Sequence, residues 1–125
     1  MRSKVQELAK LAYDCVIEVK KENYASKYLS YARRLPSMIT YNGLLTTVAF
    51  AKAKAQKEKA WEILLEHIKK FLSDAGIKQD KKDLVEFLSE CGVQEYRFIT
   101  KRVLDFSQWL KRIAEGEIED EGKGD

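Results

Sequence analysis

The sequence predicts an all-α fold: a compact single-domain bundle of five to six helices over residues 1–115, followed by a disordered acidic tail over 116–125. Three observations carry this. Apolar residues recur at three- and four-residue spacing along most of the chain, with no convincing strand-like alternation. Hydrophobic residues make up 45% of 125 residues, enough for one core at single-domain length. After Gly116, the sequence EIEDEGKGD holds too little apolar content to fold.

Each element follows from its own pattern. Val5, Leu8, Ala12, Cys15, Val16 and Val19 form one helical stripe running to about Lys21. Asn23 interrupts it, and Tyr24 to Arg34 reads as a second helix or a continuation. Next comes LPSMITYNGLLTTVAFAKAK, Leu35 to Lys54, which holds the only proline. Pro36 has a fixed φ and no N–H, so it suits the first turn of a helix. A glycine takes positive φ without strain, so Gly43, with Asn42 before it, suits a helix stop. The expectation is a short helix over 36–42, a stop at Gly43, and a new helix with Leu44, Leu45, Val48 and Ala51 inward. Residues 58–75 give the next helix, with Leu64, Leu65, Ile68, Phe71 and Leu72 as its stripe and Gly76 as its stop. Asp80 is placed as the N-cap of a helix from Lys81, with Asp83 in the first turn and Gly92 closing it. The last helix spans about Gln94 to Ala114, with Tyr96, Ile99, Val103, Phe106, Leu110 and Ile113 inward.

The net charge of +3 is unevenly spread. Residues 1–60 carry 12 Lys+Arg against 5 Asp+Glu, residues 61–114 carry 10 against 9, and residues 115–125 carry 1 against 6. The body is therefore basic, +7 and +1, before a tail of −5 is added. Such a balance suits nucleic acid. No apolar run reaches the roughly 20 residues that span a bilayer, and the amphipathic start lacks a signal-peptide core. A soluble, cytoplasmic protein is expected, with no membrane partner.

Catalytic chemistry finds no support. Cys15 and Cys91 lie among apolar helical positions and read as free thiols rather than a disulfide or metal pair. His67 is the only histidine, at the edge of an apolar stripe, where a structural role is favoured. A ribonuclease of the Arg-x4-His type needs arginine at position 62, where Glu62 stands. Zinc-hydrolase spacing, phosphate-cradling glycine loops and nucleophile elbows are missing. No catalytic residue, metal ligand, cofactor or small-molecule substrate is assigned.

What remains is cationic and aromatic. Arg33 and Arg34 precede Pro36, Lys52 and Lys54 end the Leu44 helix, and Lys111 and Arg112 end the last long helix. Cations near a helix C-terminus also complement the macrodipole, which weighs about equally with phosphate contact for Lys54, Lys111 or Arg112. Tyr28, Tyr31, Tyr41, Trp61 and Trp109 are candidate stacking residues, though aromatics at helical spacing more often belong to the core. A helix-turn-helix DNA-binding regulator is the rival reading, resting on Leu88, Gly92 and Val93 with Arg97, Lys101 and Arg102 on the reading helix. Leu88 stands where that motif wants a small residue, and Lys101 where it wants an apolar one.

Two blocks resemble a known family: Pro36-Ser37-Met38-Ile39 with Asn42-Gly43-Leu44, and Trp109-Leu110-Lys111-Arg112. With Trp61, Leu64-Leu65, Tyr96 and Thr100 between them, the chain from Val5 to Glu115 looks like the small α-helical subunit of type III-B CRISPR Cmr RNA-silencing complexes, the fifth protein of that assembly. The resemblance implies a non-catalytic bundle that stacks with further copies of itself as a minor filament. It also implies partnership with other Cmr subunits, crRNA and target RNA, with cleavage left to neighbouring subunits. A stack would line up Arg33, Arg34, Lys52, Lys54, Lys111 and Arg112 into a basic stripe; backbone-directed contact of that kind carries no sequence information. A pure scaffold without RNA contact is the third reading.

Overall fold

The structure, a computed structural model, describes residues 1–120. Six helices follow in order: α1 (Lys4–Val19), α2 (Ala25–Asn42), α3 (Leu44–Ala55), α4 (Lys59–Asp74), α5 (Leu84–Glu90) and α6 (Val93–Glu117). Among the described residues there is no strand, as the helical periodicity predicts. Helix α2 is the shared element: α6 packs on it and on α1, while α4 packs on it and on α3. The short α5 rests on α3.

The apolar stripes account for this packing. Ala12, Cys15, Val16 and Val19 of α1 are fully buried, as are Leu64, Ile68 and Leu72 of α4 and Ile99, Val103, Phe106 and Leu110 of α6. Phe71 and Phe106 stack with centroids 4.7 Å apart, tying α4 to α6. Val5 departs from its stripe. It is 59% exposed and lines an open cleft with Leu8, Leu11, Phe71 and Phe98. A capping box starts that helix: the Gln6 N–H donates to the Ser3 hydroxyl, and the Ser3 N–H donates to the Gln6 side chain.

Pro36 corrects the expected geometry. It lies inside α2, not in the first turn of a separate 36–42 helix. A mid-helix proline removes one backbone hydrogen bond and costs about 3 kcal/mol. Leu35 and Ile39, on either side of it, are buried to 0% and 2% exposure. Burying two such side chains is worth about 1.5–3 kcal/mol each, so the continued helix wins.

The stop falls at Gly43, as its position predicts. No residue separates α2 from α3 except this one, which is C-cap of the first and N-cap of the second. Its φ of 87° and ψ of 158° lie in a region essentially reserved for glycine. The Gly43 N–H donates to the Ile39 carbonyl at 2.9 Å, and its own carbonyl accepts from the Thr47 N–H at 3.1 Å and the Thr47 hydroxyl at 2.8 Å. Tyr96 of α6 completes the corner. Its hydroxyl accepts from the Leu45 N–H at 2.9 Å, filling one of the orphan donors at the start of α3.

Gly76 also stops a helix as expected. At φ 80° it lets the Ile77 N–H reach the Leu72 carbonyl and its own N–H reach Ser73. The N-cap of α5 differs: Asp83, not Asp80, accepts from the Val85 and Glu86 N–H groups. Asp80 and Lys81 instead have positive φ, 52° and 60°, in a turn closed by the Lys82 N–H to Gln79. A helix cannot begin through two such residues.

The tail boundary shifts as well. Helix α6 runs on to Glu117, and Ile118 is 6% exposed. Residues 116–120 therefore depart from the disordered tail expected there. Residues 121–125 of that tail lie outside the described residues.

A polar relay sits inside the core. The Tyr28 hydroxyl and His67 Nδ1 are 2.7 Å apart, and His67 Nε2 is 2.7 Å from a Glu18 carboxylate oxygen. A carboxylate only accepts, so Nε2 carries the proton and Nδ1 accepts from the tyrosine. Three helices are joined through one buried imidazole, the structural role the sequence favours for His67. Burial lowers the His67 pKa from 6.5, opposed by Glu18. Cys15 is buried and its thiol is pushed up to about 12, mainly by desolvation. Cys91 is half-buried and also a free thiol.

Two measurements test this fold. Gly43→Ala should destabilise by about 1–3 kcal/mol from backbone strain alone. The added Cβ meets only the Tyr96 hydroxyl, at an ordinary 3.6 Å. Equal urea midpoints for variant and wild type would contradict the corner. His67 has a folded pKa below its unfolded value, so the unfolded chain binds the extra proton more readily. Its contribution should be complete above about pH 6.5 and decline as pH falls towards the folded pKa. Midpoints measured from pH 7.5 to 5 should accordingly fall in wild type, more steeply than in His67→Gln.

Candidate nucleic-acid interface

Neighbouring helix residues point about 100° apart, and that rotation splits the basic pairs. Arg34 lies over the Tyr31 ring, 5.6 Å from its centroid. Tyr31 stacks on Trp61 at 4.5 Å and 14°. Trp61 meets Phe50 edge-on at 5.5 Å, and Lys54 lies over Phe50 at 5.6 Å. A single ladder of three rings from α2, α4 and α3 thus has a cation at each end. Trp61 is 1% exposed and belongs to the core, while Tyr31 and Phe50 are half-buried. The Tyr31 hydroxyl donates to Glu58, which pushes its pKa up.

Arg33 faces the other way, towards α6. Its Nε donates to Glu115 at 3.1 Å and its Nη1 to Asp120 at 2.8 Å. These carboxylates, Asp120 first, raise the pKa of the guanidinium further. Lys111 is one helical turn before Glu115 and half-exposed, so it lies near this contact. Arg112 is exposed and lies over the Trp109 ring at 5.4 Å.

Lys52 leaves the group altogether. Its ammonium is 2.9 Å from Asp83, and that ion pair lowers the Asp83 pKa. The contact ties α3 to the cap of α5. Of the six cations singled out from the sequence, Arg34 and Lys54 share one platform, Lys111 and Arg112 lie on α6, and Arg33 and Lys52 are paired with carboxylates. Asn42 is exposed beside Gly43 and makes no part of the corner's hydrogen bonding.

Sequence reasoning missed the ladder as a unit. Tyr31 and Trp61 are visible in the sequence as aromatics and Phe50 as part of an apolar run, but their three helices join only in the fold. The i, i+3 spacing of Tyr31 and Arg34 and the i, i+4 spacing of Phe50 and Lys54 were the available signals.

The geometry for the rival reading is different. Only Cys91 and Gly92 connect α5 to α6, where helix-turn-helix motifs use three or four residues. Arg102 lies over Phe98 at 5.5 Å, and Leu88 is buried. Among the described residues no group of three His, Cys, Asp or Glu side chains is placed to hold a metal. No helix among them is long and apolar enough to cross a membrane.

Comparisons with known proteins agree with this architecture. The family model described as CRISPR-associated protein (Cas_Cmr5) matches residues 4–117. A relative named CRISPR system Cmr subunit Cmr5, from Thermotoga maritima, is 32% identical over 118 residues, covering 92% of this chain and 84% of the relative. A relative of the same name from Thermus thermophilus is 28% identical over 120 residues, covering 96% of this chain and all of the relative. The crystal structure of a CRISPR-associated Cmr5 family protein from Thermus thermophilus superposes with a TM-score of 0.79 at 27% identity. The match covers 94% of this chain and 100% of that one. With the family pattern running through all six helices, the chain belongs to the Cmr5 family of CRISPR-associated proteins.

Proposed function

We propose that this chain is a non-catalytic, cytoplasmic subunit of a type III-B Cmr effector ribonucleoprotein. It stacks with copies of itself beside the other Cmr subunits and contacts the phosphates of crRNA or target RNA. Family membership supports the place in the complex. The RNA contact rests on one observation: Arg34 and Lys54 lie over aromatic rings rather than carboxylates, at the two ends of one ladder. Such cations are held in place by ring contacts worth about 0.5–1 kcal/mol each and remain available to a phosphate. Lys111 and Arg112 are further candidate cations on α6, Arg112 likewise over a ring.

This chemistry suits a guide-programmed complex. Phosphate contacts position a strand without reading it, and base pairing supplies the sequence information. Four cations per subunit bind a strand weakly, whereas a stack repeats them along an extended RNA.

The test is charge reversal of Arg34, Lys54, Lys111 and Arg112 to Glu in reconstituted complexes. Lys52 is left intact, because Glu there would face Asp83 and disturb α5. Changes at such surface sites are usually worth within about 0.5 kcal/mol of stability each, so the subunit should fold and assemble. Affinity for RNA of any sequence should fall. The log–log salt slope should shrink by about 0.7 for each single-strand phosphate no longer engaged. Unchanged affinity and slope in intact complexes would favour the pure scaffold, and failure to assemble would place these cations at a subunit interface.

A further inference from the structure

We infer that the C-terminal segment Glu115–Asp120 is a built-in anionic cover for Arg33 and Lys20, holding carboxylates where an RNA phosphate would sit. The inference deepens the RNA-binding reading and rests on it for the identity of the displacing ligand. The arrangement has an anchor and a charged edge. Ile118 is 6% exposed, so the segment is held by an apolar contact as well as by charge. From that anchor Asp120 reaches Nη1 of Arg33 at 2.8 Å, and Glu115, one turn before it, reaches Nε at 3.1 Å. Glu117 reaches the Lys20 ammonium at 2.9 Å. Lys20 and Lys21 line an open cleft with Glu117 and Glu119, continuing the same opposition of charges.

Two features make this a cover rather than a fixed strut. First, the pairs are half-exposed: the Arg33 side chain is 35% exposed and its partners Glu115 and Asp120 are 40% and 24% exposed. Exposed ion pairs are worth little each and are screened by salt, so a polyanion can compete for them. Second, the guanidinium is shared between two separate carboxylates, one hydrogen bond to each through Nε and Nη1, rather than locked in a bidentate fork with one of them, so phosphate oxygens can replace either. The free subunit is thereby masked, and RNA presented by an assembled complex displaces the segment. Non-specific binding of cellular RNA to the free chain is suppressed in the same way.

The experiment uses the full isolated chain with two probes, a single-stranded oligouridylate and polyphosphate, by fluorescence anisotropy across a salt series. Glu115→Gln with Asp120→Asn should raise affinity for both probes roughly two- to thirtyfold, the range that two exposed ion pairs are worth. It should also steepen the salt slope by about 0.7 per cation released. A control with the same charge change away from the segment, Glu66→Gln with Asp74→Asn, sets the general effect of charge. Adding Arg33→Gln should remove the excess over that control. Ile118→Ser, which alters no charge, should give a smaller gain in the same direction, with folding checked by circular dichroism. An excess with polyphosphate but not with RNA would keep the cover and overturn the RNA reading. No excess over the control with either probe would overturn the cover.

Discussion

Two helices meet at Gly43 with no linker between them, and the arrangement of the bundle follows from that corner. A backbone at φ 87° and ψ 158° breaks the helix within one residue, which sets how α3 leaves α2. Thr47 closes the corner from inside α3, and Tyr96 closes it from α6, so the last helix is registered against the first half of the chain. A side chain at position 43 would not be crowded out. The constraint is torsional, and no relaxation of neighbours relieves it. Leu35, Ile39 and Leu44, all buried, hold both arms in the core and keep Pro36 inside a continuous helix.

The same α2 carries the two arginines to different ends. One residue of helical rotation sends Arg34 towards α4 and its aromatic ladder, and Arg33 towards α6 and its carboxylates. The surface is therefore not one basic patch. It is a half-exposed cationic platform on one side and a neutralised arginine on the other. The proposed role gives that division a use: cations held by ring contacts would add up along a stack, while a masked arginine would limit attraction between the free chain and unrelated polyanions.

Much of the fold was legible in the sequence, because period-3.6 burial and helix punctuation are local signals. Gly43 and Gly76 stop helices where their positions indicate. The misplacements have identifiable causes. The local preference of Pro36 points to a helix start, and the burial of Leu35 and Ile39 overrides it. Asp80 and Asp83 offer the same cap chemistry three residues apart, and the turn through Asp80 and Lys81 decides between them. Ile118 is a single apolar residue among acids, too sparse for a periodic pattern, yet enough to anchor the segment after α6. The candidate cations were legible as residues but not as a surface. Which carboxylate pairs with Arg33 or Lys52 depends on contacts between residues 31 to 87 positions apart, and no spacing rule reaches that far. The family blocks supplied what local rules could not, the context in which a small basic helical bundle has a role.

That role is open to one direct measurement: purification of the native protein from its host under gentle conditions, with identification of everything that accompanies it. The expected result is recovery within a multi-subunit complex that carries small RNAs, with this chain present in repeated copies. Recovery as a free protein, or as a homodimer on promoter DNA without small RNA, would contradict it.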